Sequence, residues 1–150
     1  MLEEFIHANR LSAKVFETTK EVHTAAKAAA EMEGDNEAVV KSIVLVGSDQ
    51  ESVLVILLGK DKIDLQKVKK VLGLKDMWLA EPKEVLERTG YEIGGVPPIS
   101  IYGIKTIIDK KVLEKEDVVC GGGTPNHLMR IKVKEIMENV DDISVEDVKK

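Results

Sequence analysis

The run "VVKSIVLVGSDQESVLVILLG", from Val39 to Gly59, holds two β-branched-rich segments separated by the polar residues Ser48, Asp49, Gln50 and Glu51. The pattern predicts a hairpin, with strands over 39–47 and 52–59. Both segments are apolar on both faces, which places them in the middle of a sheet covered on each side. Alternation sets Val39, Lys41, Ile43 and Leu45 on one face and Val40, Ser42, Val44 and Val46 on the other. Lys41 therefore shares a face with core residues. A lysine there either sits at a frayed strand start, snorkels to the sheet edge, or lines a cavity that holds something negative or carbonyl-like.

Outward from this hairpin, helical and extended patterns interleave. Toward the N-terminus, Leu2, Phe5, Ile6 and Asn9 predict a short amphipathic helix over 2–10, followed by a brief strand at Val15-Phe16. Thr18 with Glu21 reads as a capping box opening an alanine-rich helix to about Met32, ended by Gly34. Toward the C-terminus, Asp61 or Lys62 leads into a helix with Leu65, Val68, Val71 and Leu72 inward and Gly73 at its end. Met77 to Leu79 reads as a strand, and Pro82 opens a helix that Thr89-Gly90 stops. Further strands are expected at Ile99 to Ile101, Thr106 to Ile108, Val118 to Cys120 and Leu128 to Ile131, then a helix at Val133 to Met137 and a frayed acidic tail. The expected fold class is α+β, with one mixed, largely antiparallel sheet of about six to seven strands covered by helices.

Composition bounds the function classes. At 150 residues the chain is expected to form a single domain, 1–150. Its longest apolar run, Val53 to Leu58, is far too short to span a bilayer, and the start "MLEEFIHANRL" lacks the pattern of a secretory signal. The expectation is a cytoplasmic protein with no membrane partner. The lone Cys120 can form no internal disulfide, and no Cys/His set has zinc spacing, so neither a metal nor a cofactor is expected. A net charge of −5 argues against a broad nucleic-acid footprint while leaving room for a small basic pocket around one nucleotide end. The lysines between Lys60 and Lys70 read as a solvated helix face.

Gly90, Gly94, Gly95 and Gly121 to Gly123, six of the 11 glycines, concentrate in two loops, "GYEIGGVPP" and "CGGGTP". Each loop taken alone is either a tight connection or a cradle whose backbone N–H groups hold an anion; neither matches a dinucleotide fingerprint or a P-loop.

The order of these elements resembles the YbaK/ProX family of aminoacyl-tRNA editing domains. The matching features are Lys41-Ser42 on a strand, the turn at Gly59, the loop Thr89 to Pro98, a strand ending in Asp109, and Gly121 to Gly123. The resemblance spans about residues 20 to 137. It implies a hydrolase that deacylates mischarged tRNA, typically tRNA for proline carrying Ala or Cys, by water attack on the ester. Small side chains differ too little in binding energy for one synthetase site to reject them, so a second hydrolytic site restores accuracy.

By the same resemblance, Lys41, Gly94 and Gly95 are the candidate catalytic residues. Lys41 would meet the ester carbonyl or terminal nucleotide, and the amides of Gly94, Gly95 and Gly122 the developing negative charge. Ser42, Gly59, Pro98, Gly121, Gly122 and His127 are the candidate substrate contacts. Ser42 has the wrong strand parity, and His127 stands where some relatives carry an aspartate, which bears on the choice of amino acid. A side chain at Gly95 is expected to intrude on the site and not on the core. Cys120 is read as a packed strand residue, and His7 and His23 as surface residues. The implied partners are the tRNA 3′ acceptor end and an aminoacyl-tRNA synthetase. Two other classes share these features: a non-catalytic regulator that binds aminoacyl-tRNA or a synthetase, and a binding module for a nucleotide or amino-acid derivative.

Overall fold

The computed structural model describes residues 1–18 and 38–150. In chain order the elements are α1 (Leu2–Ala8), β1 (Lys14–Glu17), β2 (Val40–Gly47), β3 (Ser52–Leu58), α2 (Leu65–Leu72), β4 (Met77–Leu79), α3 (Pro82–Thr89) and β5 (Lys105–Asp109). A 3-10 turn at Lys110–Glu114 follows, then β6 (Asp117–Gly121), β7 (His127–Lys132), α4 (Val133–Asn139) and β8 (Ile143–Glu146). The capping box, the alanine-rich helix and His23 lie outside the described residues.

The hairpin forms as expected. β2 and β3 pair antiparallel from Val40↔Leu58 to Val46↔Ser52. The Glu51 carbonyl accepts from Gly47 N–H at 3.0 Å across the turn, and Gln50 takes a left-handed φ of 68°. Both strands are interior to a five-stranded sheet of order β4-β2-β3-β5-β8. Val44, Leu54, Ile56 and Leu58 enter one apolar cluster, and Leu45, Val53, Val55 and Leu57 the other. Burial on both faces is what the doubly apolar pattern demands.

The α+β class holds, but the strands divide. β1, β7 and β6 form a separate three-stranded antiparallel sheet, making eight strands among the described residues. A single parallel bridge, Val39↔Val119, joins the sheets before β2 turns away to pair with β3.

Helix ends follow local chemistry. The N-cap of α2 is Asp64, whose carboxylate accepts from the Gln66 and Lys67 amides, so the helix opens later than the expected Asp61 or Lys62. Its C-cap is Gly73 at φ 68°, a conformation that a Cβ would oppose. Leu65, Val68 and Leu72 face the core, whereas Val71 is 40% exposed, a correction to its expected inward position. α3 opens on a capping box between Glu81 and Glu84 with Pro82 in the first turn, and Gly90 closes it. α1 is shorter than expected, since Asn9 caps it and Arg10 leaves at φ 54°.

Two further expectations are corrected. Ile99 to Ile101 is not a strand. Ser100 has φ 66°, and the Tyr91 hydroxyl donates to Ser100 Oγ at 2.8 Å, so this segment folds back on the preceding loop and pairs with no strand among the described residues. The acidic tail is not frayed. β8 pairs in parallel with β5 from Thr106↔Ile143 to Asp109↔Glu146, and Val148 is fully buried. The anchor is Asp109 at the end of β5, itself 0% exposed. Its Oδ1 accepts from Val148 N–H at 2.9 Å, its Oδ2 accepts from Lys111 N–H at 3.2 Å, and Lys149 Nζ stands 3.8 Å away. A buried carboxylate satisfied by backbone donors and a nearby cation offsets its desolvation cost.

Cys120 is 2% exposed and its thiol donates to the Met129 carbonyl at 3.4 Å. Burial pushes the thiol pKa far up, leaving almost no thiolate near neutrality. Cys120→Ala is expected to cost about 1 kcal/mol in chemical denaturation, and the parent thiol to resist alkylation in the folded state. Rapid stoichiometric alkylation of the native protein would contradict this packing.

Candidate functional site

Lys41 stands opposite Leu57 in the hairpin, near the end of β3. It is half-buried, on the face that carries Ile43 and Leu45. Its Nζ donates to the Gly59 carbonyl at 3.4 Å, a long bond that satisfies one of three ammonium protons. Burial lowers its pKa from the ordinary lysine value; the Asp61 carboxylate pulls it back up, and the Lys62 ammonium lowers it further. The Asp61 Oδ2 atom is buried with no hydrogen-bond partner among the described residues. In the sequence Asp61 reads only as a helix start. Its position two residues after Gly59, in the turn closed by Asp61 N–H to Leu58 O at 3.0 Å, is the signal that places it by Lys41.

The two glycine loops pack on one another backbone to backbone. Gly123 N–H donates to the Gly95 carbonyl at 2.8 Å. A Cβ on Gly95 would fall 2.6 Å from the Thr124 carbonyl carbon, and one on Gly121 would meet the Val96 carbonyl oxygen. A Cβ on Gly122 would lie 2.7 Å from the backbone of His127 and Leu128. Gly95 thus answers to a close approach of chains, which corrects the expectation that a side chain there would avoid the packed interior. The amides differ as well. Gly95 N–H donates to Glu92 O at 2.9 Å and Gly122 N–H to His127 O at 3.0 Å, so both are already engaged. Gly94, at φ 89°, makes no such backbone bond among the described residues.

The Val39↔Val119 bridge joins the start of β2 to the strand that leads into the loop pair. Lys41 and Gly121 each lie two residues beyond the bridge on neighbouring, co-directional segments, and the Val96 carbonyl lies against Gly121. Gly59 thus stands at Lys41, the bridge links the strand of Lys41 to the one that leads into Gly121, and Gly95, with Gly94 adjoining it, Gly121, Gly122 and the His127 backbone meet in one packed loop pair. The His127 ring joins it through Thr124: Thr124 Oγ1 is 2.6 Å from Nδ1 and accepts from Asn126 N–H at 3.2 Å. In the tautomer where the hydroxyl donates to Nδ1, the ring proton sits on Nε2, which is then a donor; in the other, Nδ1–H donates to Oγ1 and Nε2 accepts.

Ser42 and Pro98 lie apart. Ser42, opposite Ile56, keeps the parity of Val40 and Val44, and its Oγ is buried without a hydrogen-bond partner among the described residues. Pro98 lines a cleft of about 770 Å³ whose other walls include Tyr102, Ser52, Leu54 and Asp142. That cleft opens at the start of β3, about 10 Å or more along the strand from Lys41's partner Leu57. Its exposed Asp142 is paired with Lys105 at 3.3 Å. No group of three or more metal-ligating side chains occurs among the described residues, and no described helix is long and apolar enough to cross a membrane.

Comparison with known proteins adds independent findings. The family described as an aminoacyl-tRNA editing domain matches residues 19–138. A proline–tRNA ligase of Halalkalibacterium halodurans is 37% identical over 90 residues, 60% of this chain and 16% of that protein. Protein YwhH of Bacillus subtilis is 32% identical over 101 residues, 67% of this chain and 64% of that one. The chain thus spans only part of these relatives. Among solved structures, a proposed trans-editing enzyme for prolyl-tRNA synthetase superimposes with a TM-score of 0.83 at 33% identity, over 99% of this chain and 92% of that one.

Proposed function

Because the chain belongs to the family of aminoacyl-tRNA editing domains, we propose that it is a trans-editing deacylase that hydrolyses the ester of mischarged tRNA for proline carrying Ala or Cys. The observation that supports this most is Lys41: a partly desolvated ammonium with one long bond to Gly59 O among the described residues, on a strand that the Val39↔Val119 bridge joins to the strand leading into Gly121. In this reading the 3′ aminoacyl ester lies between Lys41 and the Gly94 amide. Water adds to the ester carbonyl carbon, and the oxygen that gains negative charge is held by the ammonium and the amide N–H. Collapse breaks the bond to the ribose oxygen, which leaves with a proton, giving free amino acid and uncharged tRNA. No side-chain nucleophile is required, in keeping with the inert Cys120.

His127 offers Nε2 to the substrate end, as donor in the tautomer whose Nδ1 accepts from Thr124, and Gly59, Gly121 and Gly122 shape the walls. The net charge of −5 leaves little electrostatic pull on a whole tRNA, so binding centres on the acceptor end with a synthetase as partner. The match within a proline–tRNA ligase and the trans-editing structural relative favour the proline system. The test is release of label from tRNA charged with Ala, Cys, Ser or Pro. Faster clearance of Ala or Cys from tRNA for proline than of Pro is expected. Equal, uncatalysed decay of all four, with binding retained, would replace the deacylase by a binding protein.

A further inference from the structure

The loop that carries Gly59 and Asp61 is fastened from outside by the end of the chain. Lys150 N–H donates to Lys62 O at 2.8 Å, and Asp64 N–H donates to Val148 O at 2.8 Å. Between them Ile63 and Lys149 form an antiparallel bridge. The fastening segment is itself anchored. Val148 is fully buried with its N–H on Asp109, the Lys149 carbonyl accepts from Lys67 Nζ at 2.8 Å, and Lys67 also pairs with Asp147 at 3.2 Å. This segment lies beyond the residues that the family match spans.

We infer that the segment Asp147 to Lys150 is a positioning element for Lys41, acting through the loop from Gly59 to Asp64 that presents the Gly59 carbonyl and the Asp61 carboxylate. The inference rests on the reading of Lys41 as a site residue. Lys41 has one hydrogen bond among the described residues, to Gly59, and at 3.4 Å it is lost by a small outward movement of the loop. The charges that act on its ammonium, Asp61 and Lys62, sit on the same loop, and Lys62 is one of the residues that the segment binds directly. Asp61 also acts electrostatically on Lys149, so one carboxylate acts on both Lys41 and the clasp. A segment that fixes the loop therefore fixes the hydrogen bond and the local field of Lys41 together.

The experiment compares the parent with a variant lacking Lys149 and Lys150, and with Lys67→Met, which removes only side-chain anchors of the segment. Three quantities are read well below the melting temperature: amide exchange over the loop, the NMR signal of the Lys41 side chain, and deacylation of Ala-charged tRNA for proline. The expected result is roughly tenfold faster exchange at the Asp61 amide, a displaced Lys41 signal, and kcat lowered about tenfold with KM within about threefold. Lys67→Met should move all three in the same direction by less. Faster loop exchange with an unchanged Lys41 signal and kcat would overturn the inference, since the segment would then be structural alone. If the shortened variant does not fold, Lys67→Met decides by the same criteria. Should the parent deacylate no tRNA, the functional reading fails by itself, and the Lys41 signal still decides whether the segment positions it.

Discussion

Gly95→Val is expected to lower the melting temperature by about 6–12 °C, corresponding to a loss of roughly 3 kcal/mol. The cause is local and steric. A Cβ at this position would stand 2.6–2.7 Å from three backbone atoms of Thr124, and backbone has no rotamer through which to yield. The alternative is to part the loops, which breaks the bond from Gly123 N–H to Gly95 O and strips cover from Gly121. Gly95→Ala meets the same atoms with a smaller group and should lose a smaller part of the stability. Deacylation should fall along with stability, because the loop that carries Gly94 moves with its neighbour. A melting temperature within about 2 °C of the parent would show that the loops are not packed as described.

That result bears on which features were legible in the residues. The hairpin was, because two doubly apolar runs around a polar turn have few other solutions, and so were the ends of α2 and α3, marked by Gly73 and by Pro82 with Gly90. The C-terminal strand was not. In "DDISVEDVKK" only Ile143, Val145 and Val148 are apolar, and their pairing depends on β5 and on Asp109, which are distant in sequence. Ile99 to Ile101 misled for the opposite reason: β-branched residues promise a strand, but Tyr91 and Ser100 bind that segment to its own loop. The candidate site shows the same division. Lys41 was conspicuous as a charge on an apolar strand face, and parity placed Ser42 on the other side. The glycines were conspicuous too. Whether they served a ligand or each other turned on chain–chain distances, which no local pattern encodes. Asp61 and the clasp behind it required the same long-range knowledge.

Lys41→Met is expected to fold, to unfold as cooperatively as the parent, and to deacylate mischarged tRNA at least roughly a hundredfold more slowly at saturation, a loss on the order of 3 kcal/mol in the transition state. Methionine keeps most of the apolar stem between Ile43 and Leu57's strand while removing the ammonium. Stability should hold or rise slightly, and the sign follows from the direction of the shift. The pKa of Lys41 is lowered in the folded state, chiefly by burial, so the charged form is disfavoured on folding and stability increases as pH rises from the folded pKa toward the unfolded one. Below both values the native protein carries that penalty in full, and the variant does not. The parent should therefore gain stability on the Met variant as the pH approaches the ordinary lysine range, and denaturation of both proteins at neutral and alkaline pH measures this. Lys41→Arg separates charge from geometry: the guanidinium keeps the charge but is too broad to repeat the single bond to Gly59 O, so activity should stay low. Turnover of Lys41→Met at the parent's rate would remove Lys41 from the chemistry and, with it, the proposed position of the ester.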